Sequence, residues 1–368
     1  MNNPYQDKRY LRKDLNMFHA PDLTPISAIG EFGLIEKIQT MLPTTATVMG
    51  DDCAVLGDGP IKTLVTKDLL LEGVHFDLTY VPPKHLGYKA AMVNLSDIAA
   101  MNGTPKYLML GLGVPAQFSV EAIEEFLLGF QLACSAYQVQ LIGGDTTRSK
   151  AGLHISITAM GEAAADQVVY RSGAKPNELI CVTGSLGSAC AGFMVLDREQ
   201  KIFKENPGVQ PDLEAHALII ERQLKPEARF DILYALRQNQ LQPTSMIDVS
   251  DGLAPELLHL CKASSLGCRI DAARIPIDQG VYHLAEEMNL DPYQLALYGG
   301  EDYELLFTLP ATAHTQVSLI PDIRIIGYTT DEPGACYLVD DKNQMHPLET
   351  AGWDSLKGTG MAGTTSHS

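Results

Sequence analysis

Acidic residues in this chain recur where the hydrophobic pattern breaks. Asp51 and Asp52 stand ahead of Cys53-Ala54-Val55-Leu56, and Asp68 closes the run Lys62-Thr63-Leu64-Val65-Thr66-Lys67. Asp97 lies within the long apolar segment 86–101, three residues after Asn94, so the two share a helix face. Asp145 follows Gly143-Gly144, Asp248 and Asp251 flank Ser250 ahead of Gly252, and Glu301-Asp302 follow Gly299-Gly300. Any one of these acids also reads as a helix cap or an Asx turn. Asp97 differs, because a carboxylate on a helix that is apolar almost all round is costly unless paired or metal-bound. Lys89 or Arg148 could supply a structural pair. The set as a whole, with few basic neighbours, points to hard divalent cations, magnesium above all, which take oxygen ligands and sit beside phosphates.

Other chemistries lack their signatures. The chain has no GxxxxGK[ST] loop, no GxGxxG between a strand and a helix, and no HExxH, GxSxG or EF-hand pattern. Val182-Thr183-Gly184-Ser185-Leu186-Gly187 fits either a helix N-terminus under a phosphate or an ordinary βα turn. With 27 basic against 45 acidic residues, the net charge of −18 opposes nucleic-acid binding. No apolar run reaches the ~18 residues of a membrane helix, and the first residues form no apolar signal core. The seven cysteines make no CxxC pair and no zinc spacing, which suits reduced, buried thiols in a cytoplasmic protein.

The elements that must position these acids alternate along the chain, so the expected class is mixed α/β in two domains. Residues 1–25 read as an N-terminal extension. Residues 26–165 form the first domain: a helix from Glu31, a turn entering a strand over 49–56, strands at 62–67 and 107–114, helices at 86–101 and 120–137, a short strand at 139–142 and another at 153–160. Strict alternation places Ile155, Ile157 and Ala159 on one face of the last strand. Residues 166–356 read as a C-terminal α/β domain, with strands at 178–183, 245–249, 268–271, 303–309 and 323–327. Its helices are expected at 185–196, 228–238 and 253–264. The tail 357–368 is rich in Gly, Ser and Thr and is expected to be disordered.

Several blocks resemble the thiamine-monophosphate kinase family: Gly50-Asp51-Asp52-Cys53-Ala54, Thr66-Lys67-Asp68 with Glu72-Gly73-Val74-His75-Phe76, and Asn94-Leu95-Ser96-Asp97. Gly143-Gly144-Asp145-Thr146, Arg171-Ser172-Gly173, Asp248-Val249-Ser250-Asp251-Gly252 and Gly299-Gly300-Glu301-Asp302-Tyr303-Glu304-Leu305 complete the series in the family's order. The resemblance implies ATP-dependent phosphorylation of thiamine monophosphate to thiamine diphosphate. It implies several Mg²⁺ ions held through Asp52, Asp68, Asp97, Asp145, Asp248 and Asp251, with contacts from Thr66, Lys67 and Ser250. Gly144, Asp145, Arg171 and Ser250 would meet ATP, and His75, Glu301 and Trp353 would meet the substrate, with no side chain as nucleophile or base. It also implies a homodimer whose first-domain sheets form a shared β-barrel. The alternatives are another ATP-dependent enzyme of the superfamily, such as a selenophosphate synthetase or an amidine-forming ligase, or a non-catalytic binding module.

Overall fold

A computed structural model describes residues 24–41, 49–211 and 213–349. Trp353, the tail 357–368 and nearly all of the 1–25 extension lie outside the described residues. The chain divides into two units, one of residues 1–45 with 354–360 and one of residues 46–353 with 361–368. In the first, a 3₁₀ turn at Ile26–Ala28 leads into helix α1 (Gly30–Met41).

The second unit holds two sheets and the helices around them, a mixed α/β architecture. Strands β1 (Ala54–Leu56) and β2 (Ile61–Leu71) precede helix α2 (Pro83–Ala100). Strand β3 (Thr104–Pro115), helix α3 (Val120–Ala136), β4 (Gln140–Ser149) and β5 (His154–Ala164) follow. The sheet order is β1-β2-β5-β3-β4, antiparallel except for the β3–β4 pair. Along β2, Leu64, Thr66 and Leu70 are buried while Thr63, Lys67 and Leu69 are exposed, the two-residue period of a strand covered on one face. The covering element is α2, which is buried over most of its length. Helix α3 packs tightly on it through two glycines. A Cβ on Gly87 would meet the Phe126 carbonyl, and one on Gly129 the Lys84 carbonyl, both closer than any real contact.

Then come β6 (Leu179–Thr183), α4 (Ser188–Glu205), α5 (Ala217–Leu224), α6 (Phe230–Gln238), β7 (Ser245–Asp248), α7 (Leu253–Ser264) and β8 (Gly267–Asp271). They are followed by α8 (Gln279–Met288), α9 (Pro292–Tyr298), β9 (Leu305–Leu309), α10 (His314–Val317), β10 (Ile323–Thr330), β11 (Cys336–Val339) and β12 (Met345–Pro347). The sheet order is β12-β11-β8-β10-β6-β9-β7, with β8 and β11 the parallel pair. Ile180, Val182, Ile247 and Leu306 pack with Leu253 and Leu257 of α7, whereas Cys181, Met246 and Phe307 pack with Ile232 and Leu236 of α6. Covered on both faces, β7 and β9 are buried throughout, which is why neither shows a two-residue alternation of apolar and polar residues. Ala99 and Ala100 join this second core, so α2 links the two sheets.

The structure corrects several expectations. Asp68 is interior to β2 rather than at its end, because Leu69-Leu70-Leu71 continue the alternation and pair with β5 as far as His154. Asp145 lies within β4 rather than in a turn, because the strand runs on through the glycines to Ser149. Helices α5, α8 and α9 and strands β11 and β12 fall in stretches for which the sequence predicts no element. They are short, from 3 to 10 residues. All seven cysteines are buried and none is in a disulfide, and among the described residues no helix is long and apolar enough to cross a membrane.

Candidate active site

The acids converge where the turn before β1, strand β2, helix α2 and the β7–α7 turn meet. Alternation along β2 sends Thr66 and Asp68 to the side covered by α2. There Thr66 Oγ1 donates to Asp97 Oδ2 at 2.5 Å, and the Asp68 amide donates to Asn94 Oδ1 at 3.2 Å. One turn of α2 also carries Ser96, whose hydroxyl donates to Asp248 Oδ2 at 2.5 Å. Asp52 accepts from Arg171 Nη2 at 2.5 Å, and the neighbouring Asp51 accepts from the Arg171 amide at 2.7 Å. Carboxylate oxygens of Asp52, Asp97 and Asp248 lie within 4.8 Å of one another.

Three carboxylates this close, Asp52 and Asp248 buried and Asp97 partly so, repel. Burial first, and then neighbouring aspartates, push Asp68 up to about 6 and Asp97 well above the usual carboxylate range. Burial and then Asp52 push Asp248 up to about 7. Burial raises Asp52 as well, against the pull of Arg171. Asp52 Oδ2 is buried without a hydrogen-bond partner. An all-oxygen set with a spare buried oxygen and too little positive charge fits a hard divalent cation.

The β7–α7 turn is held from below by Glu256, which is buried in the first turn of α7. Its Oε1 accepts from Ser250 Oγ at 3.2 Å and from the Asp251 amide at 3.0 Å. Loop 299–303 closes over that turn, the Glu301 amide donating to the Ser250 carbonyl and the Tyr303 amide to that of Val249. Glu301 and Tyr303 take left-handed backbone at φ 60° and 52°, strain of the kind that gathers at functional sites. Glu301 Oε2 pairs with the buried Lys89 at 3.0 Å and with Gln223 Nε2 at 2.8 Å. Lys89 is therefore engaged elsewhere than at Asp97, whose hydrogen bond comes from Thr66.

Other expected residues stand apart. Lys67 points to the opposite face of the sheet, its ammonium 2.6 Å from Ser156 Oγ, so any metal contact from this position has to use its backbone. Asp145 shares a cross-strand row with Gly111, Ser156 and Leu69, exposed and one row beyond Gly144. The row of Gly144 leads through Leu110 and Ile157 to Asp68, three strands or about 14 Å away. His75, in the turn after β2, accepts from the Leu71 amide at 3.0 Å. The N-terminus of α4 is filled by the Asp302 carboxylate, which accepts from the Gly187 and Ala189 amides at 2.7 and 3.1 Å. The Val182–Gly187 segment is thus an ordinary βα turn. Ser96, Glu256 and Gln223 went unnoticed in the sequence. The signals available were a polar residue between Asn94 and Asp97 and a charge inside the apolar start of α7.

Comparison with known proteins accords with this geometry. Residues 50–163 match the family model for the AIR synthase related protein N-terminal domain. The chain is 34% identical over 285 residues to thiamine-monophosphate kinase from Aquifex aeolicus, covering 77% of this chain and 87% of that one. It is 38% identical to the enzyme of that name from Salmonella typhimurium, covering 77% and 83%. This chain belongs to the thiamine-monophosphate kinase family. Among solved structures, AaThiL complexed with AMPPCP and TMP superposes with a TM-score of 0.78 at 31% identity, covering 90% of this chain and 99% of that one. The kinase from Aquifex aeolicus gives 0.71 at 30%, covering 85% and 97%.

Two predictions arise from the geometry of this kinase-family site. A Cβ on Gly144 would lie 1.8 Å from the Leu110 carbonyl oxygen. Gly144→Ala is expected to push β4 off β3 and to cost roughly 1–3 kcal/mol of stability; an unchanged urea midpoint would contradict it. The second concerns pH in the absence of metal. Asp248 and Asp302, held up to about 7 by burial, and Asp68, held up to about 6, keep protons that the unfolded chain releases near its ordinary value of 3.8. The folded chain binds more protons across that window, so its stability falls as pH rises from about 4 towards 7. Burial holds Asp97 and Glu256 well above the usual carboxylate range in the same sense, and these acids outnumber His259 and Cys336, both lowered to about 4, which act in the opposite one. With EDTA present, the melting temperature should be lower at pH 8 than at pH 6, and Mg²⁺ should flatten the profile. A melting temperature that rises over this interval would refute it.

Proposed function

We propose that this chain moves the γ-phosphoryl group of ATP onto the phosphate of thiamine monophosphate, giving ADP and thiamine diphosphate. The observation that carries this reading is the close trio Asp52, Asp97 and Asp248, with its spare buried Asp52 oxygen, at the centre of a fold shared with kinases of that name. Asp52, Asp97 and Asp248 would hold Mg²⁺, flanked by Asp68 and Asp251, with Thr66 and the Lys67 backbone beside them, while Asp145, across the sheet, would hold a separate ion on the ATP phosphates. When bound, such ions neutralise repulsion between the two polyanionic reactants. Arg171, Thr66 and Ser96 fix the orientation of the three carboxylates, and Glu256 holds Ser250 and Asp251 in place. Gly144, Asp145, Arg171 and Ser250 are assigned to ATP, and His75, Glu301 and Trp353 to the thiamine part. The attacking phosphate oxygen is already anionic near neutrality, its second ionisation lying near ~6, so no side-chain base is required.

The selenide-type alternative needs a reactive thiol beside the acids. Cys53 is the neighbour, and burial followed by Asp97 pushes its thiol far up, so it stays protonated. ADP release that depends on added thiamine monophosphate tests the reading. ADP formed equally without it, or no turnover at all, would defeat it.

The same reading includes a cytoplasmic homodimer, built by the first sheet. The face of that sheet opposite α2 exposes Leu69 and Met109, and the edge strand β4 exposes Leu141 and Ile142. A second copy laid against them would bury both. Sedimentation at micromolar concentration should give twice 40.0 kDa. Leu141→Glu should weaken association by ~2–3 kcal/mol through a buried unpaired charge. A fully active wild-type monomer would overturn the dimer.

A further inference from the structure

Three of the seven cysteines, far apart in sequence, meet in space. Cys261 lies on α7, Cys268 on β8 and Cys336 on β11. Strands β8 and β11 run parallel with Cys268 directly opposite Cys336, so the two side chains leave the same face of the sheet. Helix α7 packs on both strands and lays Cys261 over the pair. The three Sγ atoms lie within 4.8 Å of one another. Their exposures are 1%, 0% and 4%, and Leu257, Leu260, Ile270 and Leu348 belong to the same apolar cluster.

We propose that Cys261, Cys268 and Cys336 form a trigonal binding site for one cuprous ion, separate from the carboxylate cluster. Thiolate sulfur is soft and selects soft cations. Structural zinc takes four ligands, and among the described residues no further His, Cys, Asp or Glu joins this group. A metal–sulfur bond of ~2.3 Å places the sulfurs of a trigonal site about 4 Å apart, so the thiols need only small shifts to close on an ion. The apolar surroundings leave no room in the chemistry for a water as fourth ligand and disfavour accumulated charge. Two thiols therefore lose their protons to solvent while the third keeps its own and donates a lone pair. Three metal–sulfur bonds form, the complex carries a single negative charge, and copper stays Cu(I) with no electron transferred. The ion would fasten the C-terminal half of α7 to β8 and β11, and binding to the folded state alone would raise its stability.

The test titrates the reduced full-length chain anaerobically with Cu(I) supplied as its acetonitrile complex, against bicinchoninate as competing chelator. One equivalent should be retained per chain, with a raised melting temperature and an X-ray absorption spectrum of three sulfur scatterers and no nitrogen or oxygen. Cys336→Ala should lower copper affinity at least ~10²-fold, more than the loss of an outer-shell partner costs, while Cys134→Ala should leave it unchanged. Cys268→Ser, checked by circular dichroism, serves if Cys336→Ala does not fold. The wild-type absorption spectrum decides the ligand set without any variant. No retained copper, retention unaffected by both variants, or displacement of copper by equimolar Zn²⁺ would overturn the site.

Discussion

Asp248→Asn should lower kcat at least ~10²-fold, the loss typical of removing one group that stabilises transition-state charge, while the protein keeps its fold and melts no lower without metal. The two effects separate for a physical reason. Asparagine keeps the volume and can still accept from Ser96, so the packing at the end of β7 is preserved. It removes one charge from a buried cluster whose members already resist ionisation, which relieves the metal-free protein. The same charge is what a cation would bind. Added Mg²⁺ should therefore raise the melting temperature of the wild type and have little effect on the variant. Asp68→Asn should behave alike, since the Asp68 contact to Asn94 is made by its backbone amide. If these aspartates were only turn residues, substitution would cost roughly 1 kcal/mol of stability and leave kcat near normal. Steady-state kinetics with parallel thermal melts distinguish the outcomes.

Free thiamine should be a poor acceptor, with kcat/KM lower than that of thiamine monophosphate by roughly 10³-fold or more, as expected for a site built around a group the analogue lacks. An alcohol needs a base to become nucleophilic, whereas the phosphate arrives ionised. The cluster offers carboxylates already held by hydrogen bonds from Thr66, Ser96 and Arg171, and its thiol, Cys53, stays protonated. Without the acceptor phosphate, nothing ties the second reactant to the charged centre. Comparable kcat/KM values for the two compounds would show that recognition resides in the thiamine rings alone and that a base has been overlooked.

How much of this was legible in the sequence follows from the range of each signal. Helix α2 and strand β5 were readable because a long apolar segment and a strict alternation are local patterns. Asp52, Asp97 and Asp248 were readable as a set because each interrupts such a pattern. Their meeting was not, since it depends on α2 touching β7 across more than 150 residues of chain, through the Ser96–Asp248 hydrogen bond. Asp302 illustrates the opposite case: an acid in a suggestive Gly-Gly-Glu-Asp block proves to be the cap of α4. Asp145 was misplaced because Gly-Gly signals a turn locally, while pairing with β3 overrides it. The short helices α5, α8 and α9 escaped because each owes its stability to burial against neighbours rather than to its own sequence.

Direct transfer between two phosphates at a carboxylate-held centre, with no protein nucleophile, is the central claim, and phosphorus stereochemistry tests it most directly. ATP made chiral at the γ-phosphorus with oxygen isotopes is incubated with thiamine monophosphate, Mg²⁺ and the protein, and the configuration of the transferred group in thiamine diphosphate is determined. A single in-line displacement predicts inversion. Net retention, which requires a phosphoenzyme on the way, or the absence of any thiamine diphosphate, would contradict it.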